Sequence, residues 1–323
     1  MPESSERWRD VAGPVGTLEP GPQNAITDVR GVRVGHAQAA SGERTGVTVV
    51  EPPSLPAPAG VATVNGTGVL TPNLEIDEVG SIETPVYLCG SHAVGTVLQA
   101  AIVASGRGPA EVVLPVVGEC DDGEMADSRT VVAGDVERAL ESLGDQVAEG
   151  SVGAGTGMSC FDFPGGIGTA SRTVGDHRVG ALLLCNFGDR EYLDLLGSRL
   201  DPVAVKSTAD GSCIAVCATD APLSAQQLRR LALRPLLGLA RAGSYASQGS
   251  GEIGLAFSTS NEGGTQNADL NPYFAAAYEA AHEAVYNCLV AARPAKRLDG
   301  TMQDEFPTEA VRRLAGAHER RLR

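Results

Sequence analysis

Apolar and polar positions along the chain change period several times, and each change predicts an element. Between 26 and 64, short β-branched runs (VRVGH, TGVTVVE, GVATVNG) alternate with Gly/Pro turns, the pattern of strands and hairpins. The run HAVGTVLQAAIVAS, within 84–105, is spaced as a helix whose small residues pack closely on a sheet, and 129–143 predicts a second helix starting near Gly134 or Asp135. Strands return at 166–173, 178–186 and 212–218. Ser224 and Gln227 then form a capping box opening an amphipathic helix to about 241, which Pro235 is expected to kink or split. In the strand 252–258, Ile253, Leu255 and Phe257 fall on one face and the small Gly254, Ala256 and Ser258 on the other. Asn271 reads as the cap of a helix with Pro272 at its first position, running to about 292. The chain closes, from 306, on a basic helix or frayed tail, and its first 21 residues, polar and proline-bearing, read as a loose arm. Strands and helices mixed in this order imply layers of helix on sheet.

Composition narrows the function classes. The 323 residues are 42% apolar and 20% charged, ordinary for a globular chain with a substantial core. A net charge of −15 argues against nucleic acid and anionic membranes as partners, since both need Lys/Arg patches. No stretch is long and apolar enough to span a bilayer, and the first sixteen residues lack the apolar core of a signal peptide, so a cytoplasmic protein is expected. Its seven cysteines lie mostly in apolar contexts without a close C-x-x-C pair, which predicts reduced, buried thiols. The five histidines are scattered, so neither a metal nor another cofactor is expected. The cluster Gly153, Gly155, Gly157 lacks the lysine of a phosphate loop and leads into a turn and a strand, so it reads as a close-packed loop.

The candidate chemistry concentrates at Ser250, in the run Ser247-Gln248-Gly249-Ser250-Gly251-Glu252-Ile253. The residue before it has no Cβ and takes backbone angles closed to others, so the hydroxyl can approach the Gly249 carbonyl. Attack there converts the peptide to an ester that water can open. The freed α-amino group of Ser250, with an ordinary pKa of about 7.7–8.0, then suits the base of its own hydroxyl. By itself the tripeptide Gly-Ser-Gly reads as a plain turn before a strand.

The surrounding motifs decide between these readings. NAITDVRGVRVGH (24–36), NGTG (65–68), VVGE (116–119), GAGTGMSCFDFPGGIGTASR (153–172), CNFG (185–188), ATDAPLSAQQL (218–228), QGSGEIGLAFSTSN (248–261) and YEAAHEAVYN (278–287) occur in one order. In that order the chain resembles the self-processing aminopeptidases that include the L-aminopeptidase/D-esterase and the β-peptidyl aminopeptidases, over about 24–292. The resemblance implies a single αββα sandwich over 22–323, like that of the N-terminal-nucleophile hydrolases. It also implies a cut between Gly249 and Ser250, leaving an entwined α chain (1–249) and β chain (250–323), with Ser250 as nucleophile.

Other roles follow from the same resemblance. Glu283 matches a carboxylate that reaches the nucleophile, although Ala281 stands where relatives carry a hydroxyl; the adjacent His282 reads as a surface residue. Asn186, ending an apolar strand, is a candidate oxyanion donor or a turn former. Glu119 matches the acid that holds a substrate's free amine. The run after it places Asp121 where relatives have an aromatic residue, making that wall more acidic, and Asn65 faces the site or forms a plain Asn-Gly turn. The resulting expectation is a self-activating serine aminopeptidase or amidase that takes small peptides, amino-acid amides or esters, needs no cofactor and assembles as a homo-oligomer, a tetramer in relatives. The rivals are an amidase for ω-amino-acid oligomers of the nylon type, an acyltransferase like the ornithine acetyltransferases, and a non-catalytic oligomeric binding protein that keeps the fold.

Overall fold

A computed structural model describes residues 6–199, 211–262 and 269–322. Two large sheets carry the described chain, beside two short two-stranded ribbons. The first has five strands: β1 (Arg33–Gln38), β2 (Gly46–Glu51), β4 (Leu70–Thr71), β6 (Val86–Gly90) and β7 (Val116–Cys120), in the order β1-β2-β6-β7-β4. The second has six, adding β3 (Ala57–Gly66), β5 (Ser81–Ile82), β8 (Gly166–Val174), β9 (His177–Asn186), β10 (Ser212–Thr219) and β11 (Gly251–Ser258), in the order β8-β9-β10-β11-β3-β5. Pairing is antiparallel except for β6 with β7 and β10 with β11.

Side-chain alternation assembles these sheets into four layers. Val34, Val50, Leu88 and Val116 of the first sheet meet Ile167, Leu182, Ile214, Ile253, Leu255 and Phe257 of the second in a buried core. After the short helices α1 (Trp8–Ala12) and α2 (Asn73–Val79), helix α3 (Val94–Ala104) and helix α4 (Ala133–Glu141) cover the outer face of the first sheet through Val97, Ala101 and Val136. Across the second sheet lie α5 (Ala225–Ala242) and α6 (Asn271–Ala291), packed through Leu228, Leu239, Ala280 and Ala284. This is the αββα sandwich. The strand alternation read around Ser250 has a plain cause: the bulky set of β11 fills the inter-sheet core, and the small set lets a helix approach. A Cβ on Gly254 would sit 2.2 Å from the Ala232 carbonyl oxygen of α5.

Some local expectations change. Pro235 is accommodated within one unbroken helix, α5, instead of splitting it, and the Ser224–Gln227 capping box opens that helix as read. Asn271 is the first residue of α6 and not its cap: Leu270 stands at the cap position, and Asp269 Oδ1, one residue before it, accepts the Asn271 N–H at 3.0 Å. All seven cysteines are buried and free, the glycine cluster Gly153–Gly157 is a buried short helical turn, and helix Thr308–Leu322 forms near the carboxyl end.

The largest correction concerns the amino-terminal stretch, which is no loose arm from residue 6 onward. Trp8 is 0% exposed and stacks on Tyr286 of α6 with ring centroids 4.2 Å apart; its backbone N–H donates to Asn287 Oδ1 at 3.0 Å. A tryptophan among polar residues carries enough apolar surface to dock a strap by itself. Trp8→Ala is expected to cost about 3–5 kcal/mol, the range for emptying a buried aromatic site, measured as a shift in the denaturant midpoint.

Candidate active site

The site forms where four strands of the second sheet end together. Gly251 opens β11 beside Ser212 of β10 on one side and Gly66 of β3 on the other, and Asn186 of β9 lies opposite Ser212. Ser250, one residue upstream, is 2% exposed. Its N–H donates to the Ser247 carbonyl at 2.9 Å, closing a tight turn, and its hydroxyl donates to Glu252 Oε1. Side chains two residues apart in extended backbone share a face, which is how the sequence brings this hydroxyl and carboxylate together. Glu252 is itself 2% exposed, and its second oxygen, Oε2, is buried without a partner among the described residues. Burial pushes its carboxyl above the ordinary value, against the opposing hydrogen bond from Ser250.

The chain entering Ser250 is gripped from β3 and the turn after it. Asn65 Nδ2 donates to the Ser247 carbonyl at 2.7 Å and to the Gln248 carbonyl at 3.3 Å, and Thr67 Oγ1 donates to the same Gln248 oxygen at 3.3 Å. The Thr67–Gly68 backbone lies against Gly251, where an added Cβ would meet the Thr67 carbonyl oxygen at 2.3 Å. On the far side of that strip stands Glu119, whose Oε1 would be 3.3 Å from a Cβ on Gly68. Glu119 is 6% exposed and accepts from the Val69 N–H at 2.9 Å and from the Ser91 hydroxyl. Neither of these partners is a cation, so its negative charge is available to a ligand.

Thus Ser250, Gly249, Asn65 and Glu119 come together at one end of the sheet. Asp121 is exposed, with its Oδ1 accepting the Gly123 N–H at 2.9 Å; the acid buried at this turn is Asp122, whose carboxyl burial pushes up. Asn186 reaches the same sheet end, two strands (about 10 Å at the usual spacing) from Gly251. Its amide is engaged elsewhere, donating to the Asp121 carbonyl and accepting from the Ser159 N–H, each at 2.8 Å.

Glu283 is not brought to Ser250. It is 0% exposed and accepts from Arg9 Nε at 2.7 Å and Nη2 at 2.9 Å, Arg172 Nη2 at 2.8 Å, and Asn24 Nδ2 at 2.5 Å. Arg172 sits in register with Val179, Thr219 and Ser258, the end of the sheet opposite Ser250. His282 is half-buried, not a surface residue; its Nε2 is 2.9 Å from the Tyr286 hydroxyl, and burial lowers its pKa to about 4. The residues that motif reading passed over are Glu252 and Thr67. For Glu252 the signal was present, since an acid two residues after Ser250 in an alternating strand must share its face. For Thr67 no local signal existed, because its contact depends on β3 pairing with β11.

This architecture agrees with what comparison with known proteins finds. The model of peptidase family S58 matches residues 24–303. The β-peptidyl aminopeptidase BapA of Sphingosinicella microcystinivorans is 37% identical, over 97% of this chain and 93% of that protein. Among solved structures, a β-aminopeptidase from a Burkholderia species superposes with a TM-score of 0.85 at 37% identity, covering 96% of this chain and 98% of that one. The L-aminopeptidase D-Ala-esterase/amidase of Ochrobactrum anthropi, a serine aminopeptidase with a variant of the Ntn hydrolase fold, superposes at 0.82 with 33% identity over 96% and 99%. The chain is therefore a hydrolase with the Ntn-variant fold. It belongs to peptidase family S58.

Proposed function

We propose that this protein is a self-activating serine aminopeptidase that removes amino-terminal residues from peptides, amino-acid amides or esters. One observation carries the reading: a buried serine hydroxyl rests on a carboxylate at the start of β11, while Asn65 and Thr67 grip the two carbonyls just upstream. In this reading the Ser250 hydroxyl cuts the 249–250 bond and later attacks the carbonyl of a substrate's first residue. The new α-amino group of Ser250 acts as base, and water opens the acyl-enzyme. Glu119 supplies the buried negative charge that holds the substrate's ammonium group. Asn186 braces the Asp121 turn at the rim, and Asp121, facing solvent, biases the entrance toward cationic substrates. The names of the relatives favour both α- and β-amino-acid substrates as the first panel, and an assembly of several cut units, checked by light scattering, belongs to the same reading.

Intact-mass spectrometry under denaturing conditions tests it: fragments 1–249 and 250–323 are expected, and a single full-length mass would refute it. Hydrolysis should need a free amine, so an N-acetylated amino-acid amide should resist turnover. Glu119→Gln is expected to lower kcat/KM for the free-amine amide about 10- to 100-fold, mostly through KM, as for losing a hydrogen bond to a charged group.

A further inference from the structure

In a chain not yet cut, the amine that serves the mature nucleophile is still a peptide nitrogen and cannot accept a proton. Self-processing therefore needs another base. The described residues offer few. Glu283 is committed to two arginines and Asn24 and the His282 ring to Tyr286, and Glu119 stands across the Thr67–Gly68 strip from the serine. Glu252 alone among them accepts the Ser250 hydroxyl.

We propose that Glu252 is the general base of the self-cut, a catalytic residue in direct contact with the attacking oxygen. The inference rests on the reading of Ser250 as a self-cutting nucleophile. Glu252 Oε1 takes the hydroxyl proton as the Ser250 oxygen bonds to the Gly249 carbonyl carbon. The proton then passes to the Ser250 nitrogen as the carbon–nitrogen bond breaks, leaving an ester between Gly249 and Ser250 and a free amine. Water adds to that ester, its carbon–oxygen bond breaks, and the Gly249 carboxylate and the Ser250 hydroxyl are released. The flanks of Glu252 suit this duty: the residues in register beside it are Cys213 and Asn65, so no cation on the neighbouring strands neutralises it. Its second oxygen is buried without a partner among the described residues, which leaves the carboxylate poorly stabilised and ready to take a proton. Burial also moves its proton affinity upward, toward the range where a base works best near neutral pH.

The test follows full-length chain made by cell-free synthesis, quenched at intervals in denaturant and weighed intact. Wild type, Glu252→Gln, Glu252→Asp and Ser250→Ala are compared, with thermal unfolding of each uncut chain set against the uncut Ser250→Ala protein. Glutamine keeps the shape and the acceptor oxygen but is no base, so its cut is expected to slow about 100-fold or more, within the usual range for general-base catalysis. Aspartate keeps the charge on a shorter arm and is expected to cut faster than glutamine. Cutting of Glu252→Gln at the wild-type rate would overturn the proposal and leave Ser250 as nucleophile. Should the glutamine variant misfold, the aspartate variant decides: folded and never cut, it overturns the proposal; folded and cut, it supports it. An uncut wild type, or cutting of Ser250→Ala at the same bond, would instead overturn the self-processing reading, and this proposal with it.

Discussion

Ser250→Ala is expected to remain one 323-residue chain and to hydrolyse no amino-acid amide above background, the largest single effect any substitution should have here. The methyl group removes the only atom that can form the ester at the 249–250 bond, so the chain stays whole. Without the break there is no α-amino group at 250, and the substrate loses nucleophile and base together. Loss of a nucleophile that acts as a unit with its base typically costs about 10⁶ in kcat. The fold should survive, because Ser250 ends on a turn and the packing of β11 rests on Ile253, Leu255 and Phe257. Intact mass reports the first half of the prediction and amide turnover the second. A folded alanine variant that still yields fragments 1–249 and 250–323 would remove Ser250 from the mechanism.

The next largest effect is expected on stability, at the buried ion cluster that Glu283 shares with Arg9 and Arg172. Both Arg172 and Glu283 are 0% exposed, and Arg172 also pairs with Glu279 at 3.2 Å. Removing one member of a buried pair leaves the other charged and unpaired in low dielectric, which typically costs about 3–5 kcal/mol. Glu283→Ala and Arg172→Met should each destabilise by that order, measured by denaturant unfolding in the Ser250→Ala background so that a single chain is followed. The cluster also sets a pH signature. Burial pushes the Glu283 carboxyl up, but the Arg9 hydrogen bond, the charges of Arg172 and Arg9 and the Asn24 contact outweigh it, so its pKa lies below the ordinary 4.5. A carboxyl depressed on folding stabilises above its unfolded pKa and loses that contribution as pH falls through the folded value. In the same background, the stability gap between Ser250→Ala alone and with Glu283→Gln added should therefore narrow as pH drops below about 4.5. A gap that is constant with pH would show that Glu283 contributes through packing and not through charge.

These two expectations separate roles that motif matching had merged. Ser250 and Glu283 both stand in runs that carry the family resemblance, and proximity in motif order suggested proximity in space. The fold instead assigns Glu283 to a clamp: it ties α6 to Asn24, to Arg172 of β8 and, through Arg9, to the strap that Trp8 anchors. A carboxylate in such a run can serve architecture as readily as chemistry. The departures at Ala281 and Asp121 lose much of their force as signs of a defunct enzyme, since Ala281 lies packed among the helices and Asp121 faces solvent.

Local pattern determined a good deal by itself. Alternation with period two set which residues of β11 face the inter-sheet core, and helical spacing with a capping box set α5, because these signals depend on neighbours a few residues away. A glycine before a serine at a strand's start marked Ser250 for the same reason. What only the tertiary structure decided involves partners far along the chain. Pairing of β3 with β11 delivers Asn65 and Thr67 to the turn before Ser250, and the same pairing presses Gly251 against the strip that borders Glu119. The docking of Trp8 onto Tyr286 turns a polar amino-terminal stretch into part of the core. The charge on Glu283 is directed by two arginines that lie 274 and 111 residues away in sequence. Periodicity reports which face of an element is buried; which element lies across that face is settled by the packing of the whole sandwich, where shape and charge are matched at a distance.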